Sequence, residues 1–217
     1  MLNLISLREQ IYTYLRDEML NGGILPDSTL NLNEISQRLG ISKTPLRDAL
    51  IKLEAEGFVT IMPRRGVMVN ALTLEDVRDF YCIIGALEGE VINSVFERFN
   101  TDHLECLRRL NEAQRTALAE KAYENYYQLN IDFHDVFLDL SANRTLRTMV
   151  MPLKQRLYDF QRRPYVTDWE LRNCREHDQL IAKIETGDRA GAVEIIRDVH
   201  WSFTVQEGYI REFYRNK

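Results

Sequence analysis

Apolar residues recur along this chain at helical spacing almost throughout. Leu7, Ile11, Tyr14, Leu15 and Met19 make one stripe, opened by the capping-box start Ser6-x-x-Glu9 and closed by Gly22-Gly23. Leu25-Pro26-Asp27-Ser28 reads as a turn. Leu32, Ile35 and Leu39 form a shorter stripe that stops at Gly40, a natural left-handed terminator. One apolar residue later, Ser42 can cap a helix whose core stripe is Leu46, Ala49, Leu50 and Leu53, ending at Gly57. Pro45 falls in its first turn, where the missing N–H removes a donor that has no helical partner. Two short helices joined by a tight turn are a helix-turn-helix. The period then shortens: Val59-Thr60-Ile61-Met62 and Val67-Met68-Val69 are β-prone runs around Pro63-Arg64-Arg65-Gly66, a hairpin wing.

After the joint Asn70-Ala71-Leu72 the helical period returns, and the pattern predicts no further strand. Thr73 opens a long helix lined by Val77, Phe80, Ile84, Leu87, Val91 and Val95; Thr101 is expected to cap the next, with Leu104, Leu107 and Leu118 inward. A third is expected over 121–140, and a fourth is capped by Asn143, passes Leu146, Val150 and Leu157, and is open to a kink at Pro152. A fifth spans about 166–186 to Gly187-Asp188, and a sixth carries Ala192, Ile195, Ile196, Val199, Phe203 and Ile210. The predicted fold is mainly α: an N-terminal winged helix-turn-helix over 1–70, then an all-α antiparallel bundle of six to seven helices over 71–217.

The polar residues fit that division. Ser42, Lys43, Thr44 and Arg47 crowd the N-terminal end of the second helix of the motif, the end that enters the major groove. Hydroxyls and a helix N-terminus suit phosphate, and Arg47 is long enough for phosphate or a guanine edge. Arg64, Arg65 and Gly66 form the wing tip. The net charge of −5 is unusual for a DNA-binding chain, but it is unevenly spread. Residues 1–70 hold 8 Lys+Arg and 8 Asp+Glu, and residues 71–217 hold 20 and 25, so all the excess acid lies in the second part. Arg38, Lys43, Arg47, Lys52, Arg64 and Arg65 can therefore give a local cationic face. One neutral DNA-binding unit binds weakly, which argues for a homodimer on double-stranded operator DNA.

With 217 residues the chain suits one small and one medium domain. It has no run approaching the roughly 18 apolar residues of a membrane span, and its N-terminus lacks a secretory pattern. Cys82, Cys106 and Cys174 are odd in number and widely spaced, and they read as buried thiols in a reducing cytoplasm.

Of the four histidines, His134, His177 and His200 stand at the inward level of separate bundle helices. A lone histidine on an apolar face is most often a hydrogen-bonded core residue. Three from different helices of one bundle favour a metal site instead, since facing side chains build such sites and neutral imidazole suits zinc and similar ions. Asp132 is excluded from that set, because two residues from His134 is about 200° around the helix.

The run Ile41-Ser42-Lys43-Thr44-Pro45-Leu46-Arg47-Asp48-Ala49-Leu50, with Leu53, Glu56-Gly57 and Arg65-Gly66-Val67, resembles the winged-helix signature of GntR-type bacterial transcription regulators. Leu25-Pro26 with Leu30 matches the family's entry to its second helix; Ser28 stands where Gly is frequent, and Asn33 where some members carry Arg. Asn130-x-x-Phe133-His134, Ser141-x-Asn143-x-x-Leu146, Glu176-His177, Gly187-Asp188 and His200 resemble the FCD ligand-binding domain of the FadR-type branch. The resemblance implies a divalent metal, zinc or nickel, held by an Asp and a His four apart plus two later histidines, and a small carboxylate (organic acid) effector held partly by that metal. Here Asn130 occupies the Asp position, so the implied ligands are Asn130, His134, His177 and His200, with a weaker and retuned metal site. Ile84 replaces the family's Arg four residues before Glu88, which implies a less acidic ligand or one gripped through the metal alone.

The leading reading is a sequence-specific transcription regulator whose operator affinity follows a small-molecule effector, and not an enzyme. A metal-dependent hydrolase with an appended DNA-binding module is the alternative, against which stand the absence of an H-E-x-x-H spacing and of a base paired with the site. Glu176 adjoins His177, but adjacent helical residues point about 100° apart. A helical scaffold without ligand is the third reading. Tyr123, Tyr126, Tyr127, Arg147 and Arg163 are polar side chains of the bundle whose facing the pattern leaves open.

Overall fold

The computed structural model describes residues 5–158 and 166–214. They form two compact units divided between Thr73 and Leu74, with residues 152–158 clustering with the first.

The first unit runs α1 (Leu7–Leu20), β1 (Thr29–Leu30), α2 (Leu32–Leu39), α3 (Lys43–Ala55), β2 (Val59–Met62) and β3 (Gly66–Val69). Ser6 caps α1, its hydroxyl accepting from the Glu9 N–H. Asn31 caps α2, accepting from the N–H groups of Asn33 and Glu34, and Gly40 ends the helix at φ 64°. A side chain at that φ would strain against the backbone, so glycine belongs there. Ser42 holds the N-cap position of α3, but its side chain makes no capping hydrogen bond and is exposed.

The wing gains a strand that the periodicity does not predict. β1 pairs antiparallel with β3, giving the order β1-β3-β2. Two residues are too short to display an alternation, and their assignment comes from the partner strand. Along β3, Val67 and Val69 point inward while Met68 is exposed, the period of a sheet with one wet face. These valines meet Ile11, Leu15 and Met19 of α1 and Leu46, Leu50 and Leu53 of α3 in one core. Each such side chain contributes about 1.5–3 kcal/mol by leaving water. Leu7, at the head of the α1 stripe, is exposed.

The second unit contains α4 (Leu74–Val95), a 3-10 turn (Phe96–Arg98), α5 (Thr101–Ala119), α6 (Tyr123–Leu138), α7 (Arg144–Tyr158) as far as Met151, α8 (Thr167–Glu185) and α9 (Arg189–Glu194). A π-helical turn (Ile195–His200) follows, then α10 (Phe203–Tyr214). Several expectations need correction. The α5 cap is Asn100 rather than Thr101, in a capping box closed by His103, which accounts for the fourth histidine. The helix expected after Asp188 is two helices separated by the π turn. On α4, Leu87 is half-buried and its neighbour Glu88 is fully buried. Asn143 does cap α7, accepting from the Leu146 N–H at 3.1 Å, and the helix continues through Pro152. Only Cys174 is a buried thiol, burial pushing its pKa up to about 12; Cys82 is exposed and Cys106 half-buried.

Two glycines decide how closely α4 meets the π turn. A Cβ at Gly85 would lie 3.0 Å from the Trp201 Cβ and 3.1 Å from the Arg197 carbonyl oxygen, and one at Gly89 3.2 Å from the Arg197 Cβ. This approach brings the segment bearing His200 and Trp201 against the face bearing Glu88.

Candidate functional site

The polar N-terminal end of α3 stands clear of the protein. Lys43, Thr44 and Arg47 are exposed beside Ser42, while Leu46, Ala49 and Leu50 of the same turns are buried. Helical periodicity alone produces this division, since the inward stripe leaves its neighbours outward. At the wing tip, Arg64 sits in the left-handed region at φ 63° and Gly66 at φ 106°. The Arg65 N–H donates to the Met62 carbonyl at 3.0 Å, so the turn is closed with both arginines exposed. Of the other cations expected on this face, Arg38 is paired with Glu18 and Lys52 with Glu9. The cationic surface is thus narrower than the residue count implies: Lys43 and Arg47 on the helix, Arg64 and Arg65 on the wing.

Within the second unit, α6, α8 and the π turn each deliver one imidazole. His134, His177 and His200 are buried, with ring centroids 5.4, 5.1 and 5.0 Å apart pairwise. One ligand nitrogen from each lies within 4.8 Å of the others. Two bonds of about 2.1 Å at a tetrahedral angle hold nitrogens about 3.4 Å apart, so closure on an ion calls for small side-chain rotations. Phe133 stacks on the His177 ring at 3.8 Å. The π turn offsets the last helical residues, a feature often found where a side chain must be re-aimed at a site.

Each ring is held through Nδ1. His134 Nδ1 lies 2.8 Å from Glu88 Oε2, His200 Nδ1 3.0 Å from Glu176 Oε2, and His177 Nδ1 3.3 Å from Asn111 Oδ1. The opposite nitrogens, Nε2 of His134 and of His177, are buried and take no hydrogen bond; the same holds for Oδ1 of Asn130, one turn before His134 on α6. Rings fixed through one nitrogen with the other presented inward are what a metal-binding histidine cluster requires. Imidazole with amide oxygen suits borderline ions such as zinc or nickel, whereas magnesium, calcium and manganese favour carboxylates. The donor set therefore fits a divalent ion of the zinc type.

The surrounding polar groups were the hidden part of the sequence. Glu88 is fully enclosed and also accepts from the Trp201 indole N–H at 2.7 Å. Glu176 accepts from Arg172 Nε at 2.8 Å and Gln206 Nε2 at 2.9 Å, and Gln206 in turn accepts from Trp169 Nε1. Burial pushes the Glu176 carboxyl up, but the bonds from His200, Arg172 and Gln206 outweigh it and hold the group below its ordinary value. The signal available was a glutamate at a stripe position: Glu88 stands four residues after Ile84 and three before Val91, and Glu176 four before Leu180, all of them buried. The rotation argument separating Glu176 from His177 is correct, yet it says nothing about a histidine on another element. Asp132 accepts from Gln128 on the exposed side of α6, and Ile84 is buried.

Of the polar residues left open, Tyr126 is buried and donates to Glu170, Tyr123 lies near Thr167, and Arg147 pairs with Asp135. Arg163 lies outside the described residues.

Comparison with known proteins covers both units. Residues 7–69 match the family described as bacterial regulatory proteins, gntR family, and residues 79–200 match the FCD domain. The HTH-type transcriptional repressor GlaR of Escherichia coli K12 is 24% identical over 200 residues, covering 86% of this chain and 89% of that protein. The HTH-type transcriptional repressor RspR of the same organism is 29% identical over 135 residues, 62% of this chain and 59% of RspR. Among solved structures, E. coli McbR/YncC aligns with a TM-score of 0.77 at 19% identity, over 98% of this chain and 99% of that one. A putative GntR regulator from Rhodococcus sp. RHA1 gives 0.74 at 16% identity, over 98% and 100%.

Proposed function

Since the chain belongs to the gntR family of bacterial regulatory proteins and carries an FCD domain, we propose that a divalent metal on His134, His177, His200 and Asn130 tunes its grip on operator DNA by helping to hold a small molecule. The protein is a DNA-binding transcription regulator with an effector-binding domain, not an enzyme. The observation that carries the metal reading is the convergence of three buried imidazoles, each fixed through Nδ1. The ion, zinc or nickel, supplies Lewis acidity toward an oxygen of the effector. His134, His177 and His200 would hold it, and Asn130 would contribute a neutral oxygen.

Residues 1–70 are the DNA-binding domain and 71–217 the effector domain. Lys43 and Arg47 enter the major groove with Ser42 and Thr44 near phosphate, and Arg64, Arg65 and Gly66 lie along the backbone beside it. A homodimer brings two such units to two half-sites, and a ligand that alters their separation alters affinity. No helix among the described residues is long and apolar enough to cross a membrane, and the cytoplasm is the expected location of a DNA-binding regulator.

Fluorescence anisotropy on DNA from the protein's own promoter region tests the reading. The affinity should shift with one member of a panel of small organic acids and neutral hydroxylated metabolites, and the shift should vanish after chelation and return with zinc. A ligand response untouched by chelation would remove the metal from the mechanism. Light scattering on the complex checks the two-to-one stoichiometry.

A further inference from the structure

Three neutral imidazoles and a neutral amide carry no charge, so a dication placed among them keeps its own inside a bundle interior, where uncompensated charge is costly. The compensation stands one residue further out. Glu88 is 0% exposed, and its Oε2 meets both His134 Nδ1 at 2.8 Å and the Trp201 indole nitrogen at 2.7 Å. Indole can only donate, so this oxygen is an acceptor. With an ion on Nε2 of His134, Nδ1 carries the proton and donates to the same oxygen. Glu176, 4% exposed, meets His200 Nδ1 through Oε2 in the same way. The third ring has an amide at its Nδ1, Asn111 Oδ1 at 3.3 Å.

We propose that Glu88 and Glu176, acting through His134 and His200, supply the negative charge that the ligand set lacks, and so fix the affinity of this chain for a divalent cation. The proposal rests on the metal reading above. An anionic acceptor behind an imidazole locks its tautomer, makes the coordinating nitrogen a stronger donor and places a countercharge within one ring of the ion. The two carboxylates are unequal. Glu176 shares its charge with Arg172 Nε at 2.8 Å, a group 32% exposed at the edge of the unit, whereas Glu88 is wholly enclosed on α4. Glu88 is therefore the stronger positioning residue. It is placed by the close approach of α4 to the π turn, which brings Trp201 onto the same oxygen.

Glu88→Gln separates charge from shape, because one amide oxygen can still accept from both His134 and Trp201. Zinc affinity measured by competition with a chromophoric chelator should fall about 10–100-fold in Glu88→Gln, and by a smaller factor in Glu176→Gln. Adding Asn130→Asp should restore more affinity to Glu88→Gln than it adds to the parent protein, because it returns a missing charge. A purely structural role would give equal gains in the two backgrounds. Zinc bound with equal affinity by the parent and both glutamine variants overturns the proposal while leaving the metal site standing. A parent protein that binds no zinc overturns the metal reading and the proposal with it. Should Glu88→Gln fail to fold, Glu176→Gln and Asn130→Asp alone decide: the first must weaken binding and the second tighten it.

Discussion

Residues 5–73 and the chain after them bury different kinds of side chain. Among the described residues, none of residues 5–73 buries a polar side chain, and the core there is aliphatic and aromatic. The second stretch of chain buries Glu88, Asn111, Gln114, Asn130, three histidines, Glu176 and Gln206. Residues 5–73 keep their chemistry outside, on Lys43, Arg47, Arg64 and Arg65, and have an apolar interior; the buried Lys154 comes from the stretch of α7 that clusters with them. The second stretch places its chemistry inside, where every polar group must find a partner or a ligand. An exposed site can change one residue at a time with little effect on folding. A buried one is coupled to the packing that encloses it.

Core truncations test that separation with the largest effects. Leu53→Ala and Leu107→Ala each empty a site that is 0% exposed in its own unit, and each should cost about 2–5 kcal/mol. Leu53→Ala should weaken DNA binding and spare the zinc-induced thermal shift; Leu107→Ala should do the reverse. If either variant loses both functions together, the units are not energetically separate.

Next comes Gly85→Val, which overfills the contact between α4 and the π turn. A Cβ there already stands 3.0 Å from the Trp201 Cβ, and overpacking of this kind costs about 1–3 kcal/mol. Because the displaced segment carries His200, zinc affinity should drop about tenfold, or roughly 1.4 kcal/mol. Operator affinity of the metal-free protein should stay unchanged. Unaltered zinc binding would mean that the π turn does not position the ligand.

These two regions were not equally legible. The helix-turn-helix, its glycine stop at Gly40 and the β2–β3 hairpin follow from contacts close in sequence, so periodicity and turn chemistry suffice there; β1 does not, because its partner β3 lies far along the chain. The histidine cluster was also readable, since three inward positions on a bundle point to one another. Glu88 was missed: it stands four after Ile84 and three before Val91 on the buried stripe, but taking the half-buried Leu87 as the stripe position leaves the glutamate at the edge of the wet face. Its partners Trp201 and His134 are respectively 113 and 46 residues away in sequence. The break of the last helix at the π turn likewise faces Gly85 and Gly89, far from it in sequence.

On the exposed side, Arg47→Ala should cost about 1–3 kcal/mol on the specific operator and much less on random DNA, as a base contact requires. Arg65→Ala should weaken both about equally and lower the salt slope by about 1, as a phosphate contact requires. Anisotropy titrations at several salt concentrations separate them. Identical profiles for the two variants would collapse the distinction between reading helix and wing.

The smallest effect is a pH dependence that only a polar interior can produce. Glu170 on α8 accepts from the Tyr126 hydroxyl and from Asn173 Nδ2 at 3.1 Å. Burial raises its carboxyl above the ordinary 4.5, and the bonds from Tyr126 and Asn173 together with nearby His200 offset only part of that rise. A raised folded-state value means the group's favourable contribution is complete below 4.5 and is lost as pH climbs through the folded value, where the half-buried acid must ionise. A glutamine amide cannot ionise, so the stability of the parent relative to Glu170→Gln should decline between about pH 4 and about pH 7. Urea unfolding of the metal-free proteins at both values measures it. A parent that gains on the variant as pH rises would show that Glu170 is held as a stabilised anion, and its environment would then be cationic rather than merely dry.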